Sequence, residues 1–76
     1  MPKLPRANAR KTIAALVKAG FEEMRISGGH TFMVHAERRR SAVVPEHGGH
    51  DLATGTLHRI LKQAGLTVEE FIALLK

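Results

Sequence analysis

Apolar side chains recur at helical spacing in the first third of the chain. Ile13, Leu16 and Val17, with Phe21 just beyond, follow the i, i+3, i+4 rhythm of one helix face. The helix this predicts opens near Asn8, whose side chain can accept from the unpaired amides of a first turn. It stops at Gly20, which enters the left-handed region without a Cβ penalty. From Phe21 to Ser27 the rhythm shortens to two, with Met24 and Ile26 on one face and Glu23 and Arg25 on the other, as expected of a half-buried strand. Gly28 and Gly29 suit a tight hairpin turn, so a second strand returns over residues 30–36. In it His30, Phe32 and Val34 share one face, and Thr31, Met33 and His35 the other. Residues 37–40 make the next turn and residues 41–44 a short third strand that Pro45 ends. After a Gly- and His-rich loop over residues 46–53, a second helix starts at Thr54 or Thr56, with Leu57, Ile60 and Leu61 inside and Gly65 as its stop. Thr67 and Glu70 fit a capping box, which opens a short last helix with Phe71, Leu74 and Leu75 facing inward.

The predicted order is helix, three antiparallel strands, helix, short helix. This is an α+β domain with its helices on one face of a small sheet, an architecture that resembles the double-stranded-RNA-binding domain. The 76 residues read as a single domain, 1–76, in which residues 1–7, holding Pro2 and Pro5, form an extended lead-in. A chain this short buries only about 60 to 65% of the surface its unfolded form exposes, so a functional site is expected on the surface or in a shallow groove. No apolar run approaches the roughly 20 residues of a membrane-spanning helix, and no signal peptide is read at the N-terminus. The sequence has no cysteine, hence neither a disulfide framework nor a thiolate nucleophile, and the expected location is the reducing cytoplasm, with no membrane partner.

Charge narrows the class of partner. Twelve Lys and Arg against seven Asp and Glu leave a formal net charge of +5, which favours an anionic partner. Arg38, Arg39 and Arg40 form the densest run, at the tip between two strands, where guanidinium forks can meet phosphates from a loop held by a sheet. A second cluster, Lys3, Arg6, Arg10 and Lys11, leads into the first helix. The three Phe sit at positions expected to face the core, which tells against a stacking platform for single strands.

Of the five histidines, His30 has the best-defined place, the first residue of a strand after the Gly28-Gly29 turn. By parity it leans toward the helix-covered face, at the rim of the core. An imidazole exchanges a proton near neutral pH, which suits general acid-base work on an RNA 2′-hydroxyl. The same position also suits a plain turn residue bonded to a backbone carbonyl. His47, His50 and Asp51 place three possible ligands close together, but a loop through Gly48 and Gly49 matches no zinc pattern, and no metal or other cofactor is expected. His35 and His58 read as surface positions without a role. Phosphate-binding glycine loops, the HExxH metalloprotease pattern and close carboxylate pairs on one face do not occur.

Three stretches carry a resemblance to a known family: KTIAALVKAGFEEMRISGGHTFMVH, with an aliphatic helix running into AGF and a Gly-x-His turn; VVPEHGGHDLATGTLHRILKQAGLT; and VEEFIALL. Together they span nearly the whole chain, which resembles the HicA-type mRNA interferase toxins of toxin-antitoxin pairs. The resemblance implies an endoribonuclease that cuts mRNA and is held inactive by a HicB-type antitoxin covering the site, and the lack of a close carboxylate pair makes the expected cutting metal-independent. It implies a catalytic role for His30, the position matching the family's Gly-Ser-His element. Gly29 stands where the family usually has Ser, and Thr31 where a second His is common. The residues expected to touch RNA are Gly28, Gly29, Lys11, Arg38, Arg39, Arg40 and His47. The alternatives are a non-catalytic RNA-binding module of the same architecture and a domain that docks an acidic protein.

Overall fold

The computed structural model describes residues 3–46 and 48–76, in the order α1 (Ala9–Lys18), β1 (Glu22–Ser27), β2 (His30–His35), β3 (Arg40–Pro45), α2 (Thr54–Ala64) and α3 (Val68–Leu74). The three strands form one antiparallel sheet in the order β1-β2-β3. This is the predicted α+β layout, with β3 extended by one residue at each end.

The caps expected at both ends of α1, at the close of α2 and at the start of α3 are in place, whereas α2 opens after Ala53 with no side-chain cap. The Asn8 side chain accepts from the amide of Lys11 at 2.9 Å, satisfying one free donor of the first turn of α1. At the other end Phe21 N–H reaches back to the Leu16 carbonyl at 2.9 Å, the six-to-one bond of a Schellman close, with Gly20 at φ +104°. The same close ends α2, where Leu66 N–H donates to the Leu61 carbonyl at 2.9 Å around Gly65. The capping box of α3 is complete: Glu70 N–H donates to the Thr67 hydroxyl at 3.0 Å, and Thr67 N–H donates to the Glu70 carboxylate at 2.9 Å.

The buried face of α1 differs from the one expected. Its inward residues are Ala9, Thr12, Ala15 and Leu16, whereas Ile13 is half-buried and Val17 stands 53% exposed. Small residues let the helix lie close on the sheet, and Thr12 is accommodated because its hydroxyl donates to the Asn8 carbonyl at 2.8 Å. The core joins this face to Phe21, Met33, Ala42, Val44, Leu57, Ile60, Leu61 and Phe71, with Leu74 and Leu75 packed at its rim.

In β2 the buried positions are Thr31, Met33 and His35, and in β3 they are Ala42 and Val44. The helices therefore cover the Thr31-Met33-His35 face, and His30, Phe32 and Val34 lie on the open one. Two expectations fall here. His35 is buried beneath the helices rather than exposed, edge-on to the Phe21 ring with centroids 5.3 Å apart. Phe32 is half-buried on the uncovered side, so it is not a core residue.

The strand β1 is exposed along its whole length and carries a bulge. Glu23 pairs with Met33 but Arg25 pairs with Phe32, so Met24 is an extra residue and the simple alternation breaks. Glu23 and Arg25 consequently lie on opposite faces, not on a shared one. At the other edge, Val43 N–H points off the sheet and is met by the Gln63 side-chain oxygen at 3.2 Å. Pro45, two residues on, places its missing donor on that same outer side, where no ladder bond is lost.

Candidate functional site

The β1–β2 turn runs through Gly28 at φ +58° and Gly29 at φ +78°. Two successive left-handed residues are what a two-residue hairpin needs to match the twist of its strands, and only glycine supplies both without strain. The turn delivers His30 to the first position of β2, where its side chain is exposed on the open face. This corrects the partly buried rim position expected from parity: the parity holds, but the helices occupy the other side of the sheet.

His30 is oriented by its own turn. Its Nδ1 lies 3.0 Å from the Gly28 carbonyl oxygen. A carbonyl can only accept, so Nδ1 carries the hydrogen, and Nε2 of the neutral ring presents its lone pair outward. The backbone bond expected of a plain turn residue is therefore present, and it is the feature that aims the basic nitrogen at solvent.

The surroundings of that end come from two further segments. Glu46 N–H donates to the Gly29 carbonyl at 2.8 Å, extending the β2–β3 ladder past Pro45. Asn8 bridges Asp51, and Leu52 N–H donates to the Ala7 carbonyl at 2.9 Å, so the loop before α2 is tied to the start of α1. A cavity of about 230 Å³ lies between them, lined by Asn8, Ala9, Arg10, Glu46 and Gly49. The expected contact residue His47 lies outside the described residues. Among the described residues no three His, Asp or Glu side chains converge to hold a metal ion.

The arginine run occupies the opposite end of the sheet. Residues 36–39 form the β2–β3 turn, in which Arg39 N–H donates to the Ala36 carbonyl at 3.3 Å and Arg39 itself takes φ +54°. Arg38, Arg39 and Arg40 wall an open cavity of about 400 Å³ whose other residues are Ser41, Val43 and Gln63. His30 and Arg40 stand five strand residues apart, about 16 Å at the rise of a β-strand. Lys11 lies on neither end: it lines a groove between α1 and α3 with Arg6, Lys18, Leu74 and Leu75. The residues expected to form one site are thus divided among three places.

Between His30 and the arginine cavity lie two residues that spacing alone does not mark as functional. The Arg25 guanidinium carbon sits 4.7 Å from the centroid of the Phe32 ring, on the open face. The alternation along β2 is enough to put Phe32 beside His30. Arg25 reaches that face only through the bulge, which no residue type announces.

An exposed, backbone-aimed imidazole at one end of an uncovered sheet and a cationic cavity at the other define a small α+β domain with an open, basic working surface. Its family is the HicA toxin family: a family model described as the HicA toxin of bacterial toxin-antitoxin systems matches residues 9–66, and the chain belongs to that family. The match runs from the first residue of α1 to the close of α2 and so includes His30, Arg25, Phe32 and the arginine turn. A toxin of this kind works against an antitoxin partner. No curated protein matches the chain.

Proposed function

We propose that this toxin is a metal-independent endoribonuclease that cuts mRNA with His30 as its general base. The observation that carries the reading is the 3.0 Å contact of His30 Nδ1 with the Gly28 carbonyl on an exposed side chain, which places the hydrogen of the neutral ring on Nδ1 and leaves the lone pair on Nε2. Nε2 takes the proton of a ribose 2′-hydroxyl, and the 2′-oxygen bonds to the adjacent phosphorus as the bond to the 5′-oxygen breaks. The products are a 2′,3′-cyclic phosphate and a 5′-hydroxyl end. The leaving oxygen takes its proton from water or from His47. Arg25, diagonal to His30 on the neighbouring strand and so about 8 Å away at the backbone, supplies positive charge for the phosphoryl oxygens. The partner is a HicB-type antitoxin that covers this face, a reading that rests on the family. The location that fits an mRNA substrate is the cytoplasm.

The test is incubation of the purified chain and of His30→Ala with a long RNA in EDTA. The expected result is cutting by the natural chain alone, with cyclic phosphate ends, and growth arrest on induction that co-expressed cognate antitoxin relieves. Binding without cutting in both proteins would instead make the domain a non-catalytic RNA-binding module. Loss of cutting in EDTA would end the metal-independent mechanism.

A further inference from the structure

We propose that the open face of the sheet is a track for single-stranded RNA, running from the arginine cavity to His30 with one base stacked on the Arg25–Phe32 pair between them. The inference rests on the reading of the protein as an RNA-cutting toxin and adds the path by which the chain reaches the cleaving histidine.

The strand register lays the face out in three rows: Ser27, His30 and Pro45; Arg25, Phe32 and Val43; Glu22, Val34 and Ser41. None of these side chains is fully buried, because the helices lie on the other side. Ser41 and Val43 also line the arginine cavity, whose further wall is Gln63 of α2, so the cavity lies at the β3 edge where it adjoins the open face. In these rows Glu22 is the one acidic residue, in the row farthest from His30.

Each feature suits one part of a nucleotide. Arg39 offers a planar donor fork to phosphate in that cavity, whereas Arg40, paired with His35 of the covered face, lies against Gly65, and Arg38 reaches toward Glu70 of α3. Gln63, with its oxygen oriented by Val43 N–H, keeps both amide donors for a ligand in that cavity. Arg39 holds a left-handed conformation at φ +54°, in which glycine would sit without strain. Midway, the bulge at Met24 turns Arg25 onto Phe32, and a guanidinium held over a ring is a surface on which an unpaired base stacks. An acidic protein would need the charges but not the stacking pair. An A-form duplex hides its base faces, so the pair has a use only for splayed, single-stranded bases. The span of about 16 Å accommodates a few nucleotides of extended chain.

The experiment measures fluorescence anisotropy of a labelled eight-nucleotide oligouridylate and of a 16-base-pair RNA duplex, both in the His30→Ala background so that no cutting intervenes. The expected result is tighter binding of the oligouridylate, weakened roughly tenfold by Arg25→Ala, nearly as much by Arg25→Lys, and by Phe32→Leu. Arg39→Gly weakens it too and lowers the salt slope by about 0.7. Lys18→Ala, on the helical layer, leaves it unchanged. Preference for the duplex, or indifference of the oligouridylate to both Arg25→Ala and Arg39→Gly in folded protein, overturns the track. Cleavage by the natural chain is read separately: His30-dependent cutting with indifferent affinity removes the track and keeps the nuclease, whereas sensitive affinity without cutting does the reverse.

Discussion

His30 and His35 stand at the two ends of β2 and are held in opposite tautomers. His30 Nδ1 donates to the Gly28 carbonyl, while His35 Nδ1 accepts the backbone N–H of Arg38 at 3.3 Å. The first ring therefore keeps its hydrogen on Nδ1 and the second on Nε2. One is exposed on the open face of the sheet. The other lies under the helices and anchors the turn that carries the arginines.

Nitrogen-15 NMR of the two neutral imidazoles checks this directly. The expected spectrum shows an unprotonated Nε2 for His30 and an unprotonated Nδ1 for His35. If His30 carries its hydrogen on Nε2 instead, the outward lone pair on which the proposed mechanism depends is absent.

His35 also pairs with Arg40 across the hairpin, and each lies against a glycine that closes a helix. A Cβ on Gly20 would stand 2.6 Å from His35 Nε2, and one on Gly65 2.6 Å from Arg40 Nε. Gly20 sits at φ +104°, outside the left-handed well that Ala can enter, and its neighbour is a ring locked by Phe21 and Arg38. Gly65 sits at φ +74°, beside the end of an exposed, movable arginine. Thermal or urea unfolding is expected to show Gly20→Ala losing about 2 to 3 kcal/mol and Gly65→Ala about 1 kcal/mol. Equal losses would mean that His35 yields as easily as Arg40.

Core and open-face aromatics should separate in the same assay. Phe71 has no solvent exposure, and Phe71→Ala is expected to cost about 3 to 5 kcal/mol, a large part of what a small domain has. Phe32→Leu, on the uncovered face, is expected to cost less than about 1.5 kcal/mol. A Phe32→Leu loss as large as that of Phe71→Ala would place Phe32 in the core after all.

The α3 cap makes a pH-dependent contribution. The Glu70 carboxyl is held below its ordinary value, first by the Thr67 backbone N–H, then by the Thr67 hydroxyl, with a smaller part from Arg38. A depressed folded pKa contributes stability above the unfolded value and loses it as pH falls through the folded one. Stability of the natural chain is therefore expected to decline through the acid range below ordinary glutamate titration, and Glu70→Gln to flatten that decline. Thr67→Ala, which removes the cap oxygen, is expected to cost about 1 kcal/mol at neutral pH. An unchanged acid profile in Glu70→Gln would mean that the cap is not titrating.

The open-face site is partly legible in the residues. The Gly28-Gly29 pair announces the hairpin, and the alternation along β2 groups His30 with Phe32 and Val34 on one face. Residue types do not show which of the two faces the helices take. The side with Thr31, Met33 and His35 contains a hydroxyl and an imidazole, and the other side reads as equally apolar. The Thr31-Met33-His35 side is covered by helices whose inward residues on α1 are Ala9, Thr12, Ala15 and Leu16, and beneath them the His35 ring accepts from the Arg38 backbone N–H.

The sequence by itself determined the elements and their ends. Asn8, Gly20, Gly65, Thr67 and Glu70 act on backbone groups a few residues away, and such local chemistry is written in residue type and spacing. The tertiary structure alone decided what shares a surface. The bulge at Met24, the choice of covered face and the roughly 16 Å that part His30 from the arginines follow from how strands pair and helices dock, and those contacts join residues far apart in the chain.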